Sequence, residues 1–196
     1  MVSIMKILDF GCGRKKYQGS IGIDIASNST ADIKWDLDKF PYPLKTNYFD
    51  FIWCHHSLEH VSDIFKTLEE LYRVAKPNAI IEVHVPHAIQ AGAMAHLDHK
   101  RTFKLDTFDI FDPRYMDKAH SNELYSKIKF EVIKKELRYR NCGYSRTDKF
   151  GGRKITNWTI RAIDVLSNKF SYSYERVWGF WVGGSEEVIF KLRVIK

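Results

Sequence analysis

The stretch Ile7-Leu8-Asp9-Phe10-Gly11-Cys12-Gly13 begins as an apolar run and breaks into two glycines around a cysteine. Glycine has no Cβ, so a strand that ends in Gly-x-Gly can bring its backbone hard against a ligand. The exposed amides there suit a carboxylate or a phosphate. A second apolar run ends on Asp24 and Ile25, and Trp35-Asp36-Leu37-Asp38 follows a third. An acid at the tip of the strand after a glycine turn suits paired hydrogen bonds to the two hydroxyls of a ribose. Asp36, at the next tip, is placed to meet an adenine amino group. Together these residues describe a site for an adenosine-containing cofactor at the carboxyl ends of parallel strands. Gly-x-Gly alone also fits a tight turn without a ligand, a reading that weakens once Asp24 and Asp36 follow on successive strands. Lys16 stands where a dinucleotide fingerprint has its third glycine, so a dinucleotide pyrophosphate is the poorer candidate.

Such a site needs parallel strands to carry it. Short apolar runs at 6–10, 20–24, 32–35, 49–54 and 79–85 alternate with helical patterns, the signature of an α/β fold. The runs at 49–54 and 79–85 are nearly continuous, as in strands buried on both faces. Between them the spacing of Ile64, Leu68 and Leu71 predicts a helix over 62–76. Ser62 or Asp63 caps its start, Glu69 and Arg73 pair on its outer face, and Lys76-Pro77-Asn78 ends it. Residues 107–111 predict a short helix, 129–138 a strand, 155–168 an amphipathic helix and 187–195 an alternating final strand. The whole chain reads as one domain, with 87–128 and 140–185 as acceptor-side or lid insertions.

The 196 residues are 44% hydrophobic and 28% charged, enough for one sizeable core and not a disordered composition. No stretch predicts a membrane span or a signal peptide. Cys12, Cys54 and Cys142 fit neither a disulfide framework nor a zinc site, and a reduced, cytoplasmic protein is the simplest home. The net charge of +7 is uneven: residues 127–196 carry 16 Lys and Arg against seven Asp and Glu, the first 126 residues 15 against 17. A basic C-terminal third could meet nucleic acid, an anionic surface or an acidic substrate, or be a solvated face.

The succession "LDFGCG", "IGIDI", "WDLDKFPYP", "FDFIWCHHSLEHV" and "LEELYRVAKPNAIIEVHVPH" resembles the motifs of class I S-adenosylmethionine-dependent methyltransferases, in the broad type 11 group. The resemblance covers residues 6 to about 87, with a looser likeness through "HLDHKRTFKLDTFDIF". It implies a Rossmann-like seven-stranded, mostly parallel sheet with an antiparallel last strand and helices on both faces. It implies S-adenosylmethionine as the cofactor. By position, Asp9, Gly11, Cys12 and Gly13 would hold its methionine end, and Asp24 with Ile25 its ribose. Asp36 and Leu37 would flank the adenine, with Cys54 and His55 near the sulfonium and the acceptor. Two departures stand out. Arg14-Lys15 follows "GCG" where the family usually has another glycine, and only residues 14–20 separate Gly13 from the next strand, too few for a full helix. Arg14 or Lys15 could then meet the cofactor carboxylate or an anionic acceptor.

Methyl transfer from a sulfonium needs an aligned nucleophile and little water. A hydroxyl or amine acceptor gains from a base, and histidine is the usual one. Seven of the eight histidines lie between His55 and His99, where the resemblance places the cleft. His87 and His99 are the first candidates and His55 the third; each also fits a structural role. His60 reads as a tie between loop and helix, and His84 as core. His96, Asp98 and His99 are a weak zinc pattern, so no metal is expected. The aromatic run Phe170 to Trp181 could line an acceptor pocket, form a homodimer face, touch a membrane interface or pack in the core. The leading expectation is methyl transfer to a small molecule or to a sugar hydroxyl or amine. The first rival is RNA methylation, using the basic stretch 134–154 with Tyr139, Tyr144 and Phe150 interleaved. Against it, "CHHS" lacks the Asn/Asp-Pro-Pro-aromatic motif of base-amine methylases, and there is no Pro-Cys pair for cytosine carbon. The second rival is a non-catalytic cofactor-binding scaffold.

Overall fold

The computed structural model describes residues 5–90, 93, 95–115, 126–139, 157–182 and 185–196. Seven strands form one sheet: β1 (Ile7–Phe10), β2 (Ile21–Asp24), β3 (Ile33–Lys34), β4 (Phe49–His55), β5 (Ala75–Pro86), β6 (Lys129–Arg138) and β7 (Glu187–Ile195). Their order is β3-β2-β1-β4-β5-β7-β6. β1 pairs parallel with β2 and β4, β2 with β3, and β4 with β5. β7 runs antiparallel to both β5 and β6, so it is the one reversed strand. The strand number, the mostly parallel pairing and the reversed last strand are those the resemblance implies.

One face of the sheet is the core. Leu8, Phe10, Ile23, Ile52, Cys54, Ile81, Val83, Phe190 and Leu192 are all fully buried in a single apolar cluster. The helix α1 (Ile64–Val74) adds Leu68, Leu71 and Val74 to it. Phe103, Phe108 and Phe111 close it further along, with Phe108 edge-on to Phe190 at 4.8 Å between centroids. The opposite face carries Phe51, Trp53 and His55 on β4 and His84 on β5. Tyr17 packs on Phe51 and Trp53, with centroids 5.9 and 5.3 Å away.

α1 differs from its expectation at its end and on its outer face. Asp63, whose carboxylate accepts from Lys66 N at 3.0 Å, is the cap. The helix stops at Val74, because Ala75 already has extended backbone and starts β5. Asn78 takes the left-handed conformation expected of it, φ 63°, but inside the start of the strand. Arg73 pairs with Glu70, not Glu69, at 2.6 Å. The reason is the loop beneath: the Arg73 guanidinium also donates to Leu44 O and Tyr42 O, which lie on the Glu70 side. Glu69 instead accepts from Ser126 Oγ.

The expected short helix is a single 3₁₀ turn, Asp109–Phe111. The later helix α2 spans Asn157–Lys169 and runs into short helical turns that end at Val182. In that aromatic run Tyr174 is buried, whereas Trp178, Phe180 and Trp181 are exposed, Trp181 by 84%. Core packing therefore accounts for Tyr174 alone among the aromatic residues named. Cys142 and the loop 143–154 lie outside the described residues. Among the described residues no helix is long and apolar enough to cross a membrane.

Candidate active site

The glycine turn is built to sit tight against β2. Gly11 and Gly13 both take left-handed backbone, φ 71° and 54°. A Cβ on Gly11 would lie 2.5 Å from Ser57 Cβ, so only glycine fits there. Asp9 is buried and accepts from Tyr17 N at 2.6 Å, which closes the loop behind the turn. Burial holds its carboxyl above the usual range despite that bond. The Asp24 carboxylate accepts from Gly13 N at 2.8 Å and Ala26 N at 2.7 Å, so it ties the turn to the tip of β2. Lys16 is paired with Asp32 at 2.6 Å.

A cavity of about 470 Å³ opens above these strand tips. Gly11, Asp24, Ile25, Asp36 and Leu37 line one side; His56, Ser57, His60, Val61, Asp98 and Lys100 line the other. Five of the expected cofactor residues thus meet in one place. Asp9, Cys12, Gly13, Cys54 and His55 do not line it. Cys12 and Cys54 are buried, and burial pushes the Cys12 thiol up to about 11 and Cys54 well above its ordinary value, so both are inert thiols. Arg14 and Lys15 are exposed outside the cavity.

A second cavity, also about 470 Å³, adjoins the first and shares His56, His60 and Asp98 with it. Its other walls are Glu59, Pro86, Gln90, His96, His99, Glu186 and Glu187. Two segments make it. The loop after β4 brings Glu59 and His60, and residues 95–101 bring His96 to His99. Arg101 binds them together, donating to Leu58 O at 2.8 Å, Val61 O at 2.5 Å and Ser62 O at 3.0 Å.

His56 is the centre of the shared wall. Its backbone is left-handed, φ 49°, where β4 turns away from the sheet. Nδ1 lies 3.1 Å from Glu59 Oε1, and Nε2 lies 3.3 Å from Glu187 Oε1 as an ion-pair contact outside hydrogen-bond alignment. Burial opposes its charge, but the two buried carboxylates outweigh that and raise its pKa to about 9. Glu187, buried yet held by His56 and His84, falls to about 2. Burial and the neighbouring His56 charge push His55 down to about 4. His56 is therefore a fixed cation at neutral pH and His55 a weak base.

The candidate bases separate cleanly. His99 lines the second cavity, and its Nδ1 meets Ala93 O at 2.6 Å, which leaves Nε2 with its lone pair. His60 is arranged alike, with Nδ1 on Asp98 O at 3.3 Å and Asp98 Oδ2 at 3.1 Å. His55 is adjacent but lines neither cavity. His87 is 0% exposed, paired with Glu175 at 2.9 Å, and lines neither cavity. Its place is structural: it pins the Tyr174–Trp178 turn beneath Leu105, whose N also donates to Glu175. Sequence reasoning missed Glu59, Glu187 and the cavity role of His56 and His60. The "LEH" spacing was the available signal for two of them.

A seven-stranded sheet with one reversed strand carries an acid-lined cavity at the tips of β1 to β3, the arrangement expected from the resemblance to class I S-adenosylmethionine-dependent methyltransferases. Residues 8–83 of the 196 match the model of a methyltransferase domain family, type 11. The chain is 38% identical over 60 residues to a 2-phytyl-1,4-naphtoquinone methyltransferase of Nostoc sp., a match covering 29% of this chain and 26% of that enzyme. Its fold is similar to that of a SAM-dependent methyltransferase from Archaeoglobus fulgidus, with TM-score 0.59 and 18% identity over 96% of this chain and 86% of that one. It is similar also to a possible histamine N-methyltransferase from Thermotoga maritima, with TM-score 0.54 and 13% identity over 100% and 84% of the two chains.

Proposed function

We propose that this protein transfers a methyl group from S-adenosylmethionine to a hydroxyl or amine of a small polar acceptor, such as a sugar, held in the second cavity. The observation that carries the reading is the shared wall of the two cavities at His56, His60 and Asp98. The cofactor supplies a methyl group already activated on a sulfonium. The chain's residues hold and orient the two partners. Asp24 and Asp36 offer acceptors to the ribose hydroxyls and adenine amine, and Gly11 lets the backbone approach. The size of the first cavity is ordinary for a cofactor site. His99 Nε2 or His60 Nε2 can take the acceptor's proton, since each carries a lone pair.

Charge favours a small molecule over RNA. Among the described residues the second cavity is lined by Glu59, Asp98, Glu186 and Glu187, with four histidines and no Lys or Arg, a wall that disfavours a phosphate backbone. The described part of the basic stretch is already paired: Lys134 and Arg138 with Glu136, and Lys135 with Asp109. Residues 140–156 of that stretch lie outside the described residues.

Calorimetric titration with S-adenosylmethionine and its demethylated product is the test. Micromolar binding to both supports the reading, and release of demethylated cofactor with glycan or small-molecule acceptors but not with RNA supports the acceptor class. No binding to either would overturn it. Turnover on RNA that falls steeply with salt would move the acceptor to nucleic acid.

A further inference from the structure

Three side chains in the second cavity have a pattern that proton transfer does not require. Glu59 is fully buried, and its Oε2 has no hydrogen-bond partner, although Oε1 is held by His56. A buried carboxylate oxygen left without a partner costs free energy, and such atoms call for an explanation. Ligand atoms of Glu59, His60 and His99 lie within 4.8 Å of one another. Both histidines give Nδ1–H to an oxygen, His60 to Asp98 and His99 to Ala93 O, and so present an unprotonated Nε2. That is how metal-binding histidines are oriented by their outer partners.

We propose that Glu59, His60 and His99 bind one divalent transition-metal ion in the acceptor cavity. Two imidazoles and one carboxylate form a three-donor set that suits zinc, cobalt, manganese or ferrous iron and leaves positions open. Small side-chain rotations bring atoms at this spacing onto bonds of about 2.0–2.2 Å. The surroundings welcome a cation, because Asp98, Glu186 and Glu187 line the same cavity and His56 offsets only part of their charge. The other two groupings are less apt. In His55, His84 and Glu187, both His84 nitrogens are engaged by Glu82 and Glu187. In His96, Asp98 and His99, the Asp98 carboxylate is committed to His60. The inference deepens the acceptor-site reading and rests on it: the open positions would hold and polarise an acceptor oxygen, lowering its pKa as bound metals do for water.

The test is titration of chelator-stripped full-length protein with Zn²⁺ by calorimetry and with Co²⁺ by visible absorption. S-adenosylmethionine binding is measured on the same preparations. The expected result is one ion per chain with micromolar affinity or better. His99→Ala, at a partly buried position, should abolish binding, and Glu59→Gln should do the same where it folds. Asp98→Asn, which removes the carboxylate partner of His60 and one negative charge from the cavity wall, should cost about 10–100-fold. No cation binding by a protein that still binds S-adenosylmethionine would overturn the metal site and leave the methyltransferase reading intact. Binding undiminished in His99→Ala would overturn it as well. Cation binding retained without cofactor binding would support the site and count against the methyltransferase reading.

Discussion

Asp24 carries two tasks in one carboxylate. It holds Gly13 N and Ala26 N, and it lines the first cavity. Asp24→Ala should weaken S-adenosylmethionine binding by about 1–3 kcal/mol, the usual loss for hydrogen bonds to a charged group. Asp24→Asn should lose less, since one oxygen remains to accept. Calorimetry measures both, with circular dichroism confirming the fold; unchanged affinity in a folded Asp24→Ala protein would remove Asp24 from the ribose site. Gly11→Ala should be worse for the fold. It forces a Cβ to 2.5 Å from Ser57 at a left-handed position, and about 1–3 kcal/mol of stability should go, read from urea unfolding. The placement of these two residues was legible in the sequence because it is local: a strand, a turn and a strand tip lie within 18 positions, 7 to 24. Glu187 was not. It sits on an alternating final strand, and only the antiparallel pairing with β5 brings it to His84 and His56, more than 100 residues earlier.

At the scale of elements, the wall of the second cavity depends on one clamp. Arg101 reaches three carbonyls of the loop that carries Glu59 and His60, while Lys100 N donates to Glu59 O at 2.8 Å. Arg101→Ala should destabilise the protein by about 1–3 kcal/mol and loosen cofactor binding, because the same loop walls both cavities. Arg101→Lys should fail to restore it, since a point charge cannot reproduce the planar fork. Thermal melts with and without S-adenosylmethionine check this; full rescue by lysine would show the contact to be charge alone. The clamp also marks what sequence patterns do not carry. Helix α1 was legible from its 3.6-residue spacing. Its partner for Arg73 was not, because the loop at Tyr42 and Leu44, not the helix, decides where that guanidinium points. The partner of His87 was not legible for a similar reason: Glu175 lies 88 positions away.

For the molecule as a whole, the cluster of His55, His56, His84, Glu82 and Glu187, with Arg138 and Lys191 beside it, sets a pH dependence. Glu187 is depressed to about 2, so its contribution is present above the unfolded carboxylate value and lost as pH falls toward 2. His55, depressed to about 4, takes up a proton more readily unfolded, so stability falls below the ordinary histidine value. Burial opposes the charge on His84, yet Glu187 and Glu82 raise its pKa overall, so its contribution is full below that value and lost as pH rises. Stability should therefore peak near about pH 6.5 and decline on both sides. Urea midpoints across the pH range measure it, and Glu187→Gln should flatten the curve. A peak that Glu187→Gln leaves unaltered would assign the dependence to other groups.

The common wall of the two cavities has a thermodynamic consequence. If cofactor binding shifts His56, His60 or Asp98 and changes acceptor affinity by some factor, the acceptor must change cofactor affinity by the same factor. A single compound spanning both cavities would gain the second contact at a high effective concentration. Tethered two-headed inhibitors are therefore a natural route into this site even before its acceptor has a name.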